Sequence, residues 1–449
     1  MDLRENIKLQ PMRGAQIVIV LICILLTMID GYEILVMAFV APHLAKDWNL
    51  TQVEIGYLLS AGVFGTAVGA VLISPLADKI GRKNHILLCL SLITVGMLLS
   101  ATAQSVPVLV AYRAFAGLFI GAIVSSLNII VSEYSSDKRR GTVMGIYGVG
   151  LPLGAALGGA VTGPLIMEWG WRAPFVFGAL LSLIMIIVVM YYLPESIEYL
   201  VEKQPKNALK QYNKIAKLLN LSEVQELPRP MVKKSLQKTG SLLFGGIMLK
   251  RTALLWLGYS GVIAAFYFAN TWTAKLVSDV TGNPAMGIKT GVFILIGGVL
   301  GALLFALLSL RLQPRRVTAI ILFAGTLSYL AYASQVQSGD INLALGLALL
   351  VGLCANGGVA AFYAISPPVY PAAVRGTGVG WMIGFGRGVA ILAPIFTGYV
   401  LKAGWTPHNV YQLFAGVLAL AGLAVWLFDM TYRHHPEDPE EVALTVLKE

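Results

Sequence analysis

Residues 15–40 read AQIVIVLICILLTMIDGYEILVMAFV, an apolar run broken only by Gln16, Thr27 and the short polar string Asp30-Gly31-Tyr32-Glu33. A helix rises about 1.5 Å per residue and the hydrocarbon core of a bilayer is about 30 Å thick, so this run is long enough to cross it. It is also too long for the apolar core of a signal peptide, which predicts a retained first membrane helix after a polar N-terminus of residues 1–14.

Working outward, apolar runs recur at residues 53–77, 86–103, 108–132, 142–167 and 173–193, and again at 253–277, 287–310, 317–333, 341–366, 376–401 and 410–430. The predicted fold class is an all-α membrane protein of about twelve transmembrane helices in two pseudo-symmetric bundles of six. The predicted organisation is a first bundle over residues 1–193, a central loop over 194–251, a second bundle over 252–431 and a tail over 432–449. Composition agrees. Of 449 residues, 57% are hydrophobic and only 12% charged, with mean hydropathy +0.75. A soluble domain carries roughly a quarter charged residues. The 47 glycines suit helices that pack closely in lipid.

The net charge of +10 comes in short runs between apolar stretches, so its expected partner is the membrane surface and not nucleic acid. Arg4, Lys8 and Arg13, then Lys79, Arg82 and Lys83, then Lys138, Arg139 and Arg140 share one side with the central loop, Arg311, Arg315, Arg316 and Arg375. Connections on the other side are nearly bare, with Asp340 alone between residues 337 and 342. The positive-inside rule places both termini and the central loop in the cytoplasm, for a multi-pass protein of the inner membrane.

Residues 205–221 show Leu209, Tyr212, Ile215 and Leu219 at helical spacing beside Lys206, Lys210, Lys214 and Lys217. The segment reads either as a basic cover against anionic headgroups or as a contact for a partner or lipid. Cys23, Cys89 and Cys354 lie inside apolar runs, are odd in number and show no CxxC spacing, so neither a disulfide framework nor a metal site is expected. His43, His85, His408, His434 and His435 read as loop or tail residues, which leaves no histidine for a mid-membrane relay. No nucleophile–base pair suggests an enzyme, and no cofactor is implied.

The halves echo each other. Arg140-Gly141-Thr142-Val143-Met144-Gly145 opens the fifth span and Arg375-Gly376-Thr377-Gly378-Val379-Gly380 the eleventh, each after a tyrosine, Tyr134 or Tyr370. Gly81-Arg82-Lys83 and Pro314-Arg315-Arg316 repeat at a similar offset. Two related bundles around a cleft are the architecture expected of a rocking transporter.

Ionisable groups inside spans are costly and call for a reason. Asp30 and Glu33 are three apart and share a helix face. Two close carboxylates in a low-dielectric site resist ionising together, which is one way to build a proton site, and the alternative is permanent pairing with arginines that only fixes packing. Arg113 and Arg387 are candidates to grip a substrate carboxylate by two parallel hydrogen bonds. For Arg113 a fixed pair, for example with Asp30, is an equal reading. Asn128, Tyr267, Asn270, Trp272, Asn356, Tyr363 and Trp381 are further polar or aromatic groups in spans, and Asn128, Tyr267, Asn270 and Trp381 are taken as substrate contacts.

Asp78-Lys79-Ile80-Gly81-Arg82-Lys83 resembles the signature loop of the major facilitator superfamily, and Pro194-Glu195-Ser196 resembles a second element of it. The resemblance implies that Asp78, Gly81 and Arg82 serve the cytoplasmic gate. The second copy has Arg311 where the acid would stand, so only the first keeps the full latch. Within the superfamily the chain is similar to the aromatic acid:proton symporters, on Asp30-Gly31-Tyr32-Glu33, Ser132-Glu133-Tyr134 with Lys138-Arg139-Arg140, and Gly378-Val379-Gly380-Trp381 with Gly386-Arg387. That resemblance covers nearly the whole chain. It implies transport of a small organic anion with protons, with Asp30 and Glu33 in proton coupling, Arg113 and Arg387 at the substrate, Glu133 and Arg140 in gating, and a functional monomer. Another organic-acid or sugar porter, or an efflux antiporter, of the same fold is the alternative.

Overall fold

The computed structural model describes residues 3–228, 244–335, 341–370 and 375–434. The Asp340 connection, His435 and most of the tail fall outside them, as does the side chain of Arg375. Twelve helices among the described residues are long and apolar enough to cross a membrane. They agree with the sequence reading to within a few residues at most ends. The first six are α2 (Gly14–Asp47), α3 (Gln52–Leu72), α5 (Arg82–Thr102), α6 (Val106–Glu133), α7 (Arg140–Trp169) and α8 (Ala173–Tyr192). The second six are α11 (Gly246–Thr281), α12 (Pro284–Ser309), α13 (Pro314–Gln335), α14 (Ile341–Ile365), α15 (Arg375–Lys402) and α16 (Pro407–His434). Short helices α1 (Leu3–Leu9), α4 (Ala77–Ile80), α9 (Ile197–Lys203) and α10 (Ala208–Leu218) complete the set.

Helix ends follow local chemistry. Proline opens α12, α13 and α16, where its fixed φ suits the first turn and its missing N–H is not needed. Asn283 caps α12 by accepting from Ala285 N at 3.0 Å, and Ser196 caps α9 by accepting from Tyr199 N at 3.1 Å.

The chain forms two compact units, one of Met1–Val36, Ala61–Gly158 and Leu165–Lys234, the other of Met37–Ser60, Gly159–Pro164 and Ser235–Glu449. In the first, α2 and α7 meet backbone to backbone. A side chain at Gly31 would collide with the Leu151 carbonyl, and one at Gly154 with Met28. Gly117 and Gly121 of α6 do the same against α3, at Gly62 and Thr66. Such contact replaces the hydrophobic drive that lipid does not supply. The second unit uses the same device between α12 and α14, where the space at Gly297 and Gly301 is filled by the Leu349 and Leu353 carbonyls. It also includes the far ends of α2 and α3. There Ser60 Oγ donates to Ile391 O at 3.0 Å, and the Tyr57 and Tyr399 hydroxyls stand 2.9 Å apart.

Two expectations change. The N-terminus is not simply polar: α1 buries Leu3 and Ile7, and Leu3 N donates to Tyr212 OH at 3.1 Å. The 205–221 segment is helical as predicted, but Ala208, Tyr212, Ile215 and Ala216 are buried, so its apolar face is a contact within the chain, while Lys206, Lys210, Lys214 and Lys217 stay exposed.

Candidate functional site: buried charges of the membrane helices

In the first unit, Asp30 and Glu33 of α2 are both buried. Glu33 Oε1 accepts from Ser182 Oγ of α8 at 2.6 Å. Glu33 Oε2 and Asp30 Oδ2 are buried without a hydrogen-bond partner. The ion pairs among the described residues lie elsewhere, and none includes either carboxyl. Arg113, equally buried, does not pair with Asp30. Its Nη2 donates to the Glu33 backbone carbonyl, its Nη1 lies 3.1 Å from Met97 Sδ, and its guanidinium rests over the Phe175 ring at 5.6 Å. The arginine thus holds the backbone of the acid turn by hydrogen bond, while its charge acts on the Glu33 carboxyl without forming an ion pair.

In the second unit, Arg387 of α15 is half-buried, within electrostatic reach of Tyr259 and Tyr267 of α11. Gly386 beside it gives room to the Tyr259 ring, whose hydroxyl stands 3.2 Å from that of Tyr363. Asn270 lies one turn beyond Tyr267 on the same face. Its Nδ2 donates to Phe266 O at 2.8 Å, and its Oδ1 is buried without a partner. A guanidinium ringed by tyrosines suits an aromatic anion: the cation meets the carboxylate and the rings meet the ring. Trp381 is exposed and leans on Phe244 at 5.9 Å, while Trp256 stacks on Phe385 at 5.9 Å. Two other candidates are packing groups: Trp272 is buried with Nε1 donating to Pro394 O at 3.1 Å, and Asn356 fills the space at Gly298. Asn128, in the first unit, bonds back to Val124 O at 3.0 Å.

The gating candidates gather at the end of the first unit that carries the basic loops. Gly81 takes φ 95°, a conformation that favours glycine, and a Cβ there would strike the Glu195 carboxylate. Asp78 pairs with Arg82 at 2.6 Å within the loop itself. Arg140 pairs with Asp137 at 2.8 Å. Glu133 accepts from Ser196 Oγ at 2.8 Å and from Ile197 N at 3.0 Å.

Several residues of this framework were not singled out from sequence. Glu195 Oε1 accepts the backbone N–H of Arg82 at 2.7 Å, of Lys83 at 3.0 Å and of Ser196 at 2.8 Å. Its only sequence signal is the Pro194-Glu195-Ser196 string. Burial pushes the Glu195 carboxyl above the usual carboxylate range, against those hydrogen bonds. The second unit has its acid after all, but in α16: Asp429 accepts from Arg315 Nε at 3.3 Å and Arg316 Nε at 3.4 Å. Arg315 and the buried Arg251 each lie 3.9 Å from the Tyr432 ring. An isolated serine such as Ser182 carries no sequence signal. His85 is the clear correction: it lies inside α5, wholly buried, because the helix begins at Arg82 and turns this position toward α6.

Comparison with known proteins identifies the family and the fold. The sequence profile of the Major Facilitator Superfamily matches residues 20–338 and 283–449. The 4-hydroxybenzoate transporter PcaK of Pseudomonas aeruginosa is 31% identical over 95% of this chain and 95% of its own length. The gallate transporter of Pseudomonas putida is 31% identical over 94% of each. Among solved structures, the partially occluded, inward-open xylose transporter XylE of Escherichia coli matches with TM-score 0.69 at 14% identity, over 92% of this chain and 99% of that one. Twelve apolar helices, a glycine-turned basic loop after the second span and full-length kinship to carriers of aromatic acids make the chain a member of the Major Facilitator Superfamily, in the branch that holds these aromatic-acid transporters.

Proposed function

We propose that this multi-pass membrane transporter imports a small aromatic carboxylate together with protons across the inner membrane, with both termini in the cytoplasm and one copy of the chain sufficient. One observation carries the reading. Asp30 and Glu33 are buried side by side, each with an oxygen that makes no hydrogen bond, and no ion pair among the described residues includes either, although the Arg113 charge acts on Glu33. A lone buried carboxylate is costly, whereas a protonated one is not, so such a pair is a seat for a travelling proton.

The anion is assigned to the second unit. Arg387 grips the carboxylate, Tyr259, Tyr267 and Tyr363 offer rings and hydroxyls, and Asn270 offers an acceptor to a ring hydroxyl. The relatives named for 4-hydroxybenzoate and gallate support an aromatic acid over a sugar. Arg113 acts by holding the acid turn in shape, and Asp78, Gly81, Arg82, Glu133 and Arg140 serve opening and closing.

The test is uptake of labelled 4-hydroxybenzoate, with benzoate as competitor, by cells expressing the chain with and without a protonophore. Accumulation collapses with the protonophore. Arg387→Gln lowers uptake by about a hundredfold, and Asp30→Asn uncouples uptake from the gradient. Uptake indifferent to the protonophore overturns the proton reading; unchanged uptake in Arg387→Gln overturns the anion site.

A further inference from the structure

We propose that His85 relays protons between Asp30 and the end of the first unit that carries the basic loops. The proposal rests on the symport reading above and supplies what that reading lacks, a route by which a deeply buried acid loads or discharges its proton.

The route is built from three buried side chains. His85 Nδ1 stands 2.9 Å from Ser126 Oγ of α6, and Nε2 stands 3.7 Å from Cys89 Sγ, one turn further along α5. His85, Cys89 and Ser126 are all fully buried. Cys89 in turn lies within electrostatic reach of the Asp30 carboxyl. At about 1.5 Å per residue, His85 is one turn and Cys89 about 10 Å inward from Arg82 at the head of α5. The three groups therefore line the head of α5 toward the basic loop, with the Asp30 carboxyl in electrostatic reach of the innermost. The groups facing it are Arg82 on the same helix and the Ile73 backbone before α4. Glu33, Cys89 and Tyr147 face Asp30.

Imidazole suits this place because one ring nitrogen accepts while the other donates. As the Asp30 carboxyl gives its proton to Cys89 Sγ, the thiol passes its own proton to Nε2. Nδ1 then releases a proton to Ser126 Oγ, whose hydroxyl proton moves on toward solvent. Every group except the Asp30 carboxyl, now a carboxylate, ends with as many protons as it began, and the imidazole is left with its N–H on Nε2, so the ring must turn over before it relays again. Glutamine at position 85 keeps a donor and an acceptor to bridge α5 and α6 but cannot exchange protons in this way.

The full chain in liposomes with labelled 4-hydroxybenzoate separates relay from packing. Accumulation driven by an imposed pH gradient needs net proton release, while counterflow between preloaded and external substrate does not. In His85→Gln, driven accumulation falls by about tenfold or more while counterflow stays within about twofold of wild type, and Ser126→Ala shows a smaller loss in the driven assay alone. Driven accumulation equal to wild type in His85→Gln overturns the relay and leaves symport standing. Parallel loss of both assays also overturns it and makes His85 a packing residue. A wild-type chain that ignores the gradient overturns the symport reading and the relay with it.

Discussion

Glu195 and Asp429 occupy matching places in the two halves, each at the end of its sixth span and each reaching to the head of the third. In the first unit one carboxylate oxygen collects three backbone N–H groups, two of them from the first turn of α5. There the helix dipole favours an anion and no particular side chain is required. In the second unit the carboxylate meets two guanidinium groups at the head of α13, with side chains 28% and 50% exposed. A backbone grip holds whatever residues stand at positions 82 and 83, while a side-chain grip depends on Arg315 and Arg316. A repeated sequence has thus kept the place of a latch and changed its chemistry.

The largest effect expected from this contrast is at Glu195. Glu195→Ala leaves three N–H groups without their acceptor, at about 1–3 kcal/mol for each that stays buried. Little folded protein should reach the membrane, read as yield and thermal midpoint in detergent. Arg82→Gln removes a buried side chain that pairs with Asp78, lies 5.7 Å over the Tyr199 ring and favours the Glu195 carboxylate by its charge, but it keeps the three N–H bonds, so its midpoint should fall less than that of Glu195→Ala. An Arg82→Gln loss as large as that of Glu195→Ala would break the comparison. Next comes Asp429→Asn, which keeps shape but removes charge. Because water already screens both arginines, the loss should be on the order of 1 kcal/mol, a few degrees in midpoint.

The fold was legible because lipid imposes a coarse rule: runs of apolar residues near span length, with basic residues on alternate connections. The acid pair at Asp30 and Glu33 and the arginine at position 387 stood out for the same reason, as charges where lipid forbids them. Other features were hidden because they depend on which way a helix faces. His85 follows Gly81-Arg82-Lys83 and reads as loop, yet α5 begins at Arg82 and turns it inward. Asp429 lies more than a hundred residues from the arginines it serves, and no local pattern joins them. Trp381, read as a binding group from its place beside Gly380 and before Arg387, is exposed and leans on Phe244, a neighbour more than a hundred residues away that no local pattern announces. Helix α1 escaped notice because two apolar residues four apart are too short a pattern to distinguish from chance.

The smallest effect tests the electrostatics of the Glu195 grip. Burial raises this carboxyl above its ordinary value even though three N–H groups favour the charged form. Between the unfolded value, about 4.3 for glutamate, and the raised folded value, the folded chain therefore binds more protons than the unfolded chain. Stability must then fall as pH rises through that window and level off above it. Other groups titrate in the same range, so the informative quantity is the midpoint of wild type minus that of Glu195→Gln. This variant keeps a carbonyl acceptor for the N–H groups and never ionises. The difference should decline from about pH 4.5 upward and then flatten, because only the wild-type carboxyl acquires a buried charge. A difference that grows with pH would mean that the helix head and its N–H groups outweigh desolvation, making the grip a true anion site and bringing the two latches closer in kind than their partners suggest.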